Sequence, residues 1–187
     1  MVKRKIGISC VAILAFCSCA TALTLYQLGS VTIGSNERGI IISAYTDQGY
    51  RPEVLQPGIH WVLPGEYVNI YDLSRQTYEM SNSDSVLSLT KDEKNINIDV
   101  TVDYAIDPAK VLDLYITQRH SYDLVLVRPL TRNTIRKIIS QYTNEEATII
   151  AYRMNIEQSI SRQLETQFSD NGLIFFKFII LDVKPSK

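Results

Sequence analysis

The chain has 187 residues, of which 45% are apolar and 21% charged, with a formal net charge of -1. These proportions exclude a disordered tail or a collagen-like repeat, and the length suits roughly one domain. The average conceals a lopsided start: the first 35 residues carry only three charges, Lys3, Arg4 and Lys5, and no acid.

From Ile6 to Leu28 there are 23 residues without a charge. At about 1.5 Å rise per residue, a helix of this length crosses the roughly 30 Å hydrocarbon core of a bilayer. One transmembrane signal-anchor helix is therefore expected over 6–28, after a basic stub over 1–5 and before a domain over 29–187. The basic cluster holds the amino end on the cytosolic or matrix side, because the next basic residue is Arg38, and the domain is expected across the membrane. A bacterial inner membrane is favoured, and a mitochondrial inner membrane satisfies the same charge rule. The competing reading is a cleaved signal with Ala20-Thr21-Ala22 as its A-x-A site, which would release a secreted or periplasmic binding module. Leu14-Ala15-Phe16-Cys17 looks like a lipobox apart from its bulky Phe, a lipid-anchored version of that alternative. All three cysteines, Cys10, Cys17 and Cys19, fall in this stretch, so the remainder needs no disulfide and offers no thiolate metal site.

Beyond Leu28 there are 16 basic and 20 acidic residues, a net of -4, and no basic cluster, so no nucleic-acid partner is expected. Turn signals divide this region into a strand-rich first half and a helical second half, which predicts a single α+β domain with an antiparallel sheet and packed helices. Gly39–Tyr45 reads as a strand ending at Asp47-Gln48-Gly49. Leu55-Gln56-Pro57-Gly58 is a tight turn, Ile59–Leu63 a short strand, and Pro64-Gly65 a second turn. Tyr67–Leu73 and Gln76–Met80 follow as extended segments, then an exposed loop from Ser81 to Ser85. Asn95–Ile106 alternates apolar and polar residues, which predicts one buried and one wet face in an antiparallel sheet covered on one side.

Asp107 then serves as an N-cap, with Pro108 at the first position of a helix running to about Thr117. Leu124, Val127, Ile135, Ile138, Ile139 and Tyr142 form the stripe of a second helix, broken or kinked at Pro129. Thr143-Asn144-Glu145-Glu146 is a capping box opening the longest element. Ile149, Ile156, Ile160, Leu164 and Phe168 lie on one face of it, and Asn171-Gly172 is its stop. Leu173–Val183 reads as a strand buried on both faces, which must pair inside the domain or with another subunit.

Groups able to carry chemistry are few. His60 and His120 belong to no metal or nucleophile motif and read as packed or rim residues. A hydrolase would have only these two as obvious bases. Asp92, Glu93, Asp99, Asp103 and Asp107 read as a solvated row, since a hard cation needs oxygens converging on one point. Arg128, Arg132 and Arg136, four residues apart, read as a solvated stripe in preference to a grip on an acidic partner or lipid headgroups. No catalytic residue, cofactor or metal is expected.

The motifs acquire a pattern when taken in order. Asn36-Glu37-Arg38-Gly39-Ile40, the Pro57-Gly58-Ile59-His60 turn followed by Pro64, and Asp72-Leu73-Ser74-Arg75 come first. Thr90-Lys91-Asp92, Asp107-Pro108, the Arg132–Thr143 helix containing Arg136, and Leu181-Asp182-Val183 follow. This series resembles the stomatin/prohibitin (SPFH, or Band 7) family from Val31 to Ser186, and the short basic terminus before one span resembles its prohibitin and HflK/HflC branch. The resemblance implies a non-enzymatic scaffold in ring or cage assemblies that organises membrane microdomains and restrains a membrane-bound AAA protease. Its implied partners are membrane lipids and further copies or an SPFH paralogue. Such members continue into a coiled coil, whereas no heptad region precedes Lys187, so assembly is expected through edge-to-edge domain contacts or a longer paralogue.

Overall fold

A computed structural model describes residues 29–118 and 122–185. The expected span Ile6–Leu28, the Lys3-Arg4-Lys5 cluster, the cysteines, the Ala22 motif and His120 lie outside the described residues. Among those described, no helix is long and apolar enough to cross a membrane. The chain divides into two compact units between Ile70 and Tyr71.

Among the described residues the first unit holds the strands β1 (Ser30–Ile33), β2 (Glu37–Ile42), β3 (Tyr50–Leu55), β4 (Gly58–Trp61) and most of β5 (Tyr67–Asp72). β1 and β4 form an antiparallel ribbon with Ser30 opposite Trp61 and Ile33 opposite Gly58, while β2 lies between β3 and β5. The sequence pattern does not announce β3, because Pro52 interrupts it. It is an edge strand, where a missing N–H can be tolerated. In the turn before β2, Glu37 accepts the Gly34 N–H at 2.8 Å and Arg38 donates to the Glu37 carbonyl at 2.7 Å.

Ile33, Ile41, Leu55 and Val62 form the core of this unit, with Val31 and Val68 packed against it. Gly39 is required by that packing: a Cβ there would lie 2.7 Å from Val68 Cγ1 and 3.0 Å from Ile33 Cδ1. Gly39→Ala is therefore expected to cost about 1–3 kcal/mol through overpacking, read as a lower urea midpoint. An unchanged midpoint would contradict the close approach.

The second unit holds β6 (Gln76–Met80), β7 (Val86–Leu89), β8 (Asn95–Ile106) and β9 (Leu173–Pro185). β8 is the spine: β6 pairs with Val100–Tyr104, β7 with Asn95–Ile98, and β9 with nearly its full length, all antiparallel. The helices are α1 (Val111–Gln118), α2 (Arg128–Ile139), α3 (Asn144–Thr148) and α4 (Ile150–Asp170), with a π-helical turn over Asp123–Val127. Ile135, Ile138 and Ile139 of α2 and Ile156, Ile160, Leu164 and Phe168 of α4 are buried together with the apolar face of β8. The Phe168 ring stands edge-on to Tyr104 at 6.2 Å and to Phe175 at 6.0 Å.

Several expectations are corrected here. Asp107 and Pro108 do not open α1; the Asp107 side chain accepts the Ala109 N–H at 2.9 Å and its carbonyl accepts Lys110 N–H at 2.9 Å, so a turn precedes a helix starting at Val111. The interruption expected at Pro129 takes the form of the π-helical turn over Asp123–Val127, whose αR backbone runs on into α2 at Arg128. Leu124 is exposed on the π-helical turn instead of lying in the buried stripe. The Thr143–Glu146 capping box forms, but the backbone turns out of helix at Ile149 and separates α3 from α4. The polar face of β8 is not uniformly wet, since Asp99 and Ala105 are buried.

β9 is not buried on both faces either. It pairs with β8 along one edge, and Ile174, Phe176 and Leu181 are exposed. On α4, Glu157 accepts the Ile180 N–H at 2.8 Å, which occupies an amide that could otherwise recruit a foreign strand.

Candidate functional site

A run of exposed apolar side chains around one turn marks the first unit. Ile59 and Trp61 alternate along β4 and both point outward, at 62% and 54% exposed. Leu63 and Tyr67, on either side of the following turn, are similarly exposed, as are Tyr45 and Ile70. Glycine and proline shape the turn itself. Glu66 N–H donates to the Leu63 carbonyl at 3.0 Å, Pro64 fills the first central position and Gly65 the second with φ +89°. This is a type II turn, whose second central residue must take positive φ.

A buried carboxylate holds the turn in place. Arg51 grips Glu66 with two nitrogens at 3.0 and 2.8 Å, and the Leu63 N–H reaches it at 3.0 Å. Burial pushes the Glu66 carboxyl up, but hydrogen bonds from Ser43, the Leu63 amide and Arg51 outweigh it and leave it below the usual range. From the other side, the Tyr45 hydroxyl donates to the Pro64 carbonyl at 2.6 Å. The apolar tip is thus carried on a braced loop. A cavity of about 660 Å³ opens beside it, walled by Val31, Trp61, Leu63, Tyr67 and Val68, with Gly29 at its rim.

Pro64 is part of this patch. Asn36, Glu37, Arg38 and Gly39 shape the β1–β2 corner of the same unit, and Pro57 and Gly58 the β3–β4 turn. His60 shares that turn, its ring Nε2 lying 2.6 Å from the Gln56 carbonyl. Sequence reasoning missed the patch, although Ile59, Trp61 and Leu63 show the period of two. That period reports which residues share a face, not whether the face is inside.

The charged rows of the second unit have internal duties. Arg128 and Arg132 both reach the Asp84 carboxylate, and Arg132 also donates to the Asp84 carbonyl at 2.6 Å. Arg136 donates to the Leu87 carbonyl at 3.0 Å. The expected solvated stripe is therefore a ladder fastening α2 to the Ser81–Ser85 segment and β7. Burial pushes the Asp84 carboxyl up, and the two guanidinium groups outweigh it and hold it below the usual range.

The acidic row also separates into individual partners. Asp99 accepts from Ser85 and from Lys184 at 2.9 Å; burial raises its pKa, and these bonds overcome that and lower it. Asp103 is lowered by the Thr77 hydroxyl first and by Arg75. Asp92 accepts from Thr90 and from the Asn144 N–H. Among the described residues no three potential metal ligands come together. Tyr104 and Tyr122 both donate to Gln76 Oε1, at 3.2 and 2.9 Å, and burial raises both phenols.

A comparison with curated proteins finds no match. The sequence model for the SPFH domain / Band 7 family matches residues 31–187, which include the first unit from Val31 onward and all of the second. The match spans well over half of the chain, and an antiparallel α+β domain agrees with it: this chain belongs to the SPFH domain / Band 7 family.

Proposed function

We propose that the protein is a membrane-anchored scaffold of the prohibitin/HflC-like branch and not an enzyme. The observation that carries this reading is the braced aromatic patch of Trp61, Leu63, Pro64 and Tyr67, in the unit entered directly from the uncharged segment Ile6–Leu28. Tryptophan and tyrosine favour the water–bilayer boundary, where an apolar ring and a polar group are both accommodated. With Lys3, Arg4 and Lys5 held in the cytosol, the segment spans a bacterial inner membrane and the first unit rests on the opposite surface. Copies of the chain, or of a longer SPFH paralogue, then assemble laterally, organise a lipid microdomain and restrain a membrane-bound AAA protease.

The test is carbonate extraction followed by size analysis in mild detergent. The protein is expected to remain with the membrane and migrate as an oligomer, and a soluble monomer would overturn the proposal. Amino-terminal sequencing of the mature chain separates this from a module released after Ala22: Lys3-Arg4-Lys5 at the start means that the anchor is retained.

A further inference from the structure

The cavity beside Trp61 is more specific than a surface patch. At about 660 Å³ it falls in the range of roughly 300–1,000 Å³ typical of small-molecule sites. Among the described residues its side-chain walls are mainly apolar, and the carboxylate in them, Glu66, is already engaged by Arg51 and the Leu63 amide. Apart from the Trp61 N–H and the Tyr67 hydroxyl, the lining side chains offer a polar ligand little to replace lost hydration. A hydrocarbon chain would lose nothing polar and would cover exposed apolar surface.

The supply of such chains follows from how the polypeptide arrives. Gly29 lines the cavity, its carbonyl accepts the Val62 N–H at 2.7 Å, and a Cβ on it would stand 3.0 Å from the Trp61 ring. Gly29, the first described residue, is also the one that follows the uncharged stretch Ile6–Leu28 in the sequence. We infer that this cavity takes one acyl chain of a bilayer phospholipid, leaving the headgroup in water. The inference rests on the membrane-anchored reading and deepens it. Because Glu66, the charged side chain among the described lining residues, is already paired, occupancy depends on the chain and not on the headgroup.

Trp61 is the sole tryptophan, so all tryptophan emission comes from the wall of this cavity. The full chain is reconstituted into vesicles of phosphatidylcholine brominated at mid-chain, and the same preparation is extracted with carbonate. Trp61 emission is expected to fall by about half relative to unbrominated lipid, and equally with brominated phosphatidylglycerol. Val31→Phe, which narrows the cavity, is expected to lessen that quenching while the protein stays carbonate-resistant; Leu63→Phe, at an exposed lining position, replaces it if circular dichroism shows that Val31→Phe does not fold.

Quenching unchanged in the narrowed variant means that Trp61 merely dips into the bilayer, and this overturns the cavity assignment. Absent quenching with protection from acrylamide means that the chain's own segment or a second copy fills the cavity, which overturns it equally. Quenching confined to one headgroup also overturns it. Loss of the protein to the carbonate supernatant refutes the anchor itself, a failure distinct from these.

Discussion

Phe168→Ala is expected to be the most damaging single change in the second unit, lowering its stability by about 3–5 kcal/mol. Phe168 is fully buried on α4 and is bracketed edge-on by Tyr104 from β8 and Phe175 from β9. Truncation removes the apolar transfer free energy of the ring and leaves a void between one helix and two paired strands. Two edge-to-face ring contacts go with it, each worth about 0.5–1.5 kcal/mol beyond burial. Phe168→Leu keeps most of the volume and is expected to lose clearly less. Thermal or urea unfolding of the two variants checks the order, and equal losses would show that the ring geometry contributes nothing.

Asp84→Asn is expected to cost about 2 kcal/mol at neutral pH, because it leaves Arg128 and Arg132 converging on a neutral group in a partly buried corner. It should also change the response to acid. In the wild type, Asp84, Asp99 and Asp103 all have carboxyls held below their ordinary value. A depressed folded pKa gives stability that is present above the unfolded value of about 3.9 and lost as pH falls through the folded pKa. Stability should thus be nearly flat through neutral pH and fall below about pH 4, with a shallower fall in Asp84→Asn. Urea midpoints measured from pH 7 to pH 2 test this. Parallel acid limbs would mean that Asp84 retains its ordinary pKa in the folded protein.

Both expectations depend on groups that local pattern identifies incompletely. The stripe of Ile156, Ile160, Leu164 and Phe168 was legible because helical spacing places i, i+4 and i+8 on one face whatever lies opposite. Its partners were not, since Tyr104 and Phe175 are separated from Phe168 by 64 and 7 residues and meet it through strand register. The arginines at 128, 132 and 136 gave the correct face but the wrong surroundings, because a repeat of charges does not reveal whether the acid opposite is water-facing or clamped. β7 escaped notice for a related reason: the hairpin joining it to β8 uses Glu93 at φ +59° where a Gly or Asn would have signalled a turn.

The sequence by itself determined the uncharged opening segment and its basic flank, the long alternating strand β8, the capping box at Thr143 and the stop at Gly172, and the order of motifs that places the chain in its family. These depend on interactions within a few residues: charge, period, and the φ/ψ limits of glycine and proline. Tertiary structure decided which apolar faces turn outward, that β9 is an edge strand guarded by Glu157, and that the three arginines brace the fold. It also decided that Trp61, Leu63 and Tyr67 line a cavity together with Gly29. Whether a side chain is inside or outside is set by what the rest of the chain leaves uncovered, and hydrophobicity alone does not specify that.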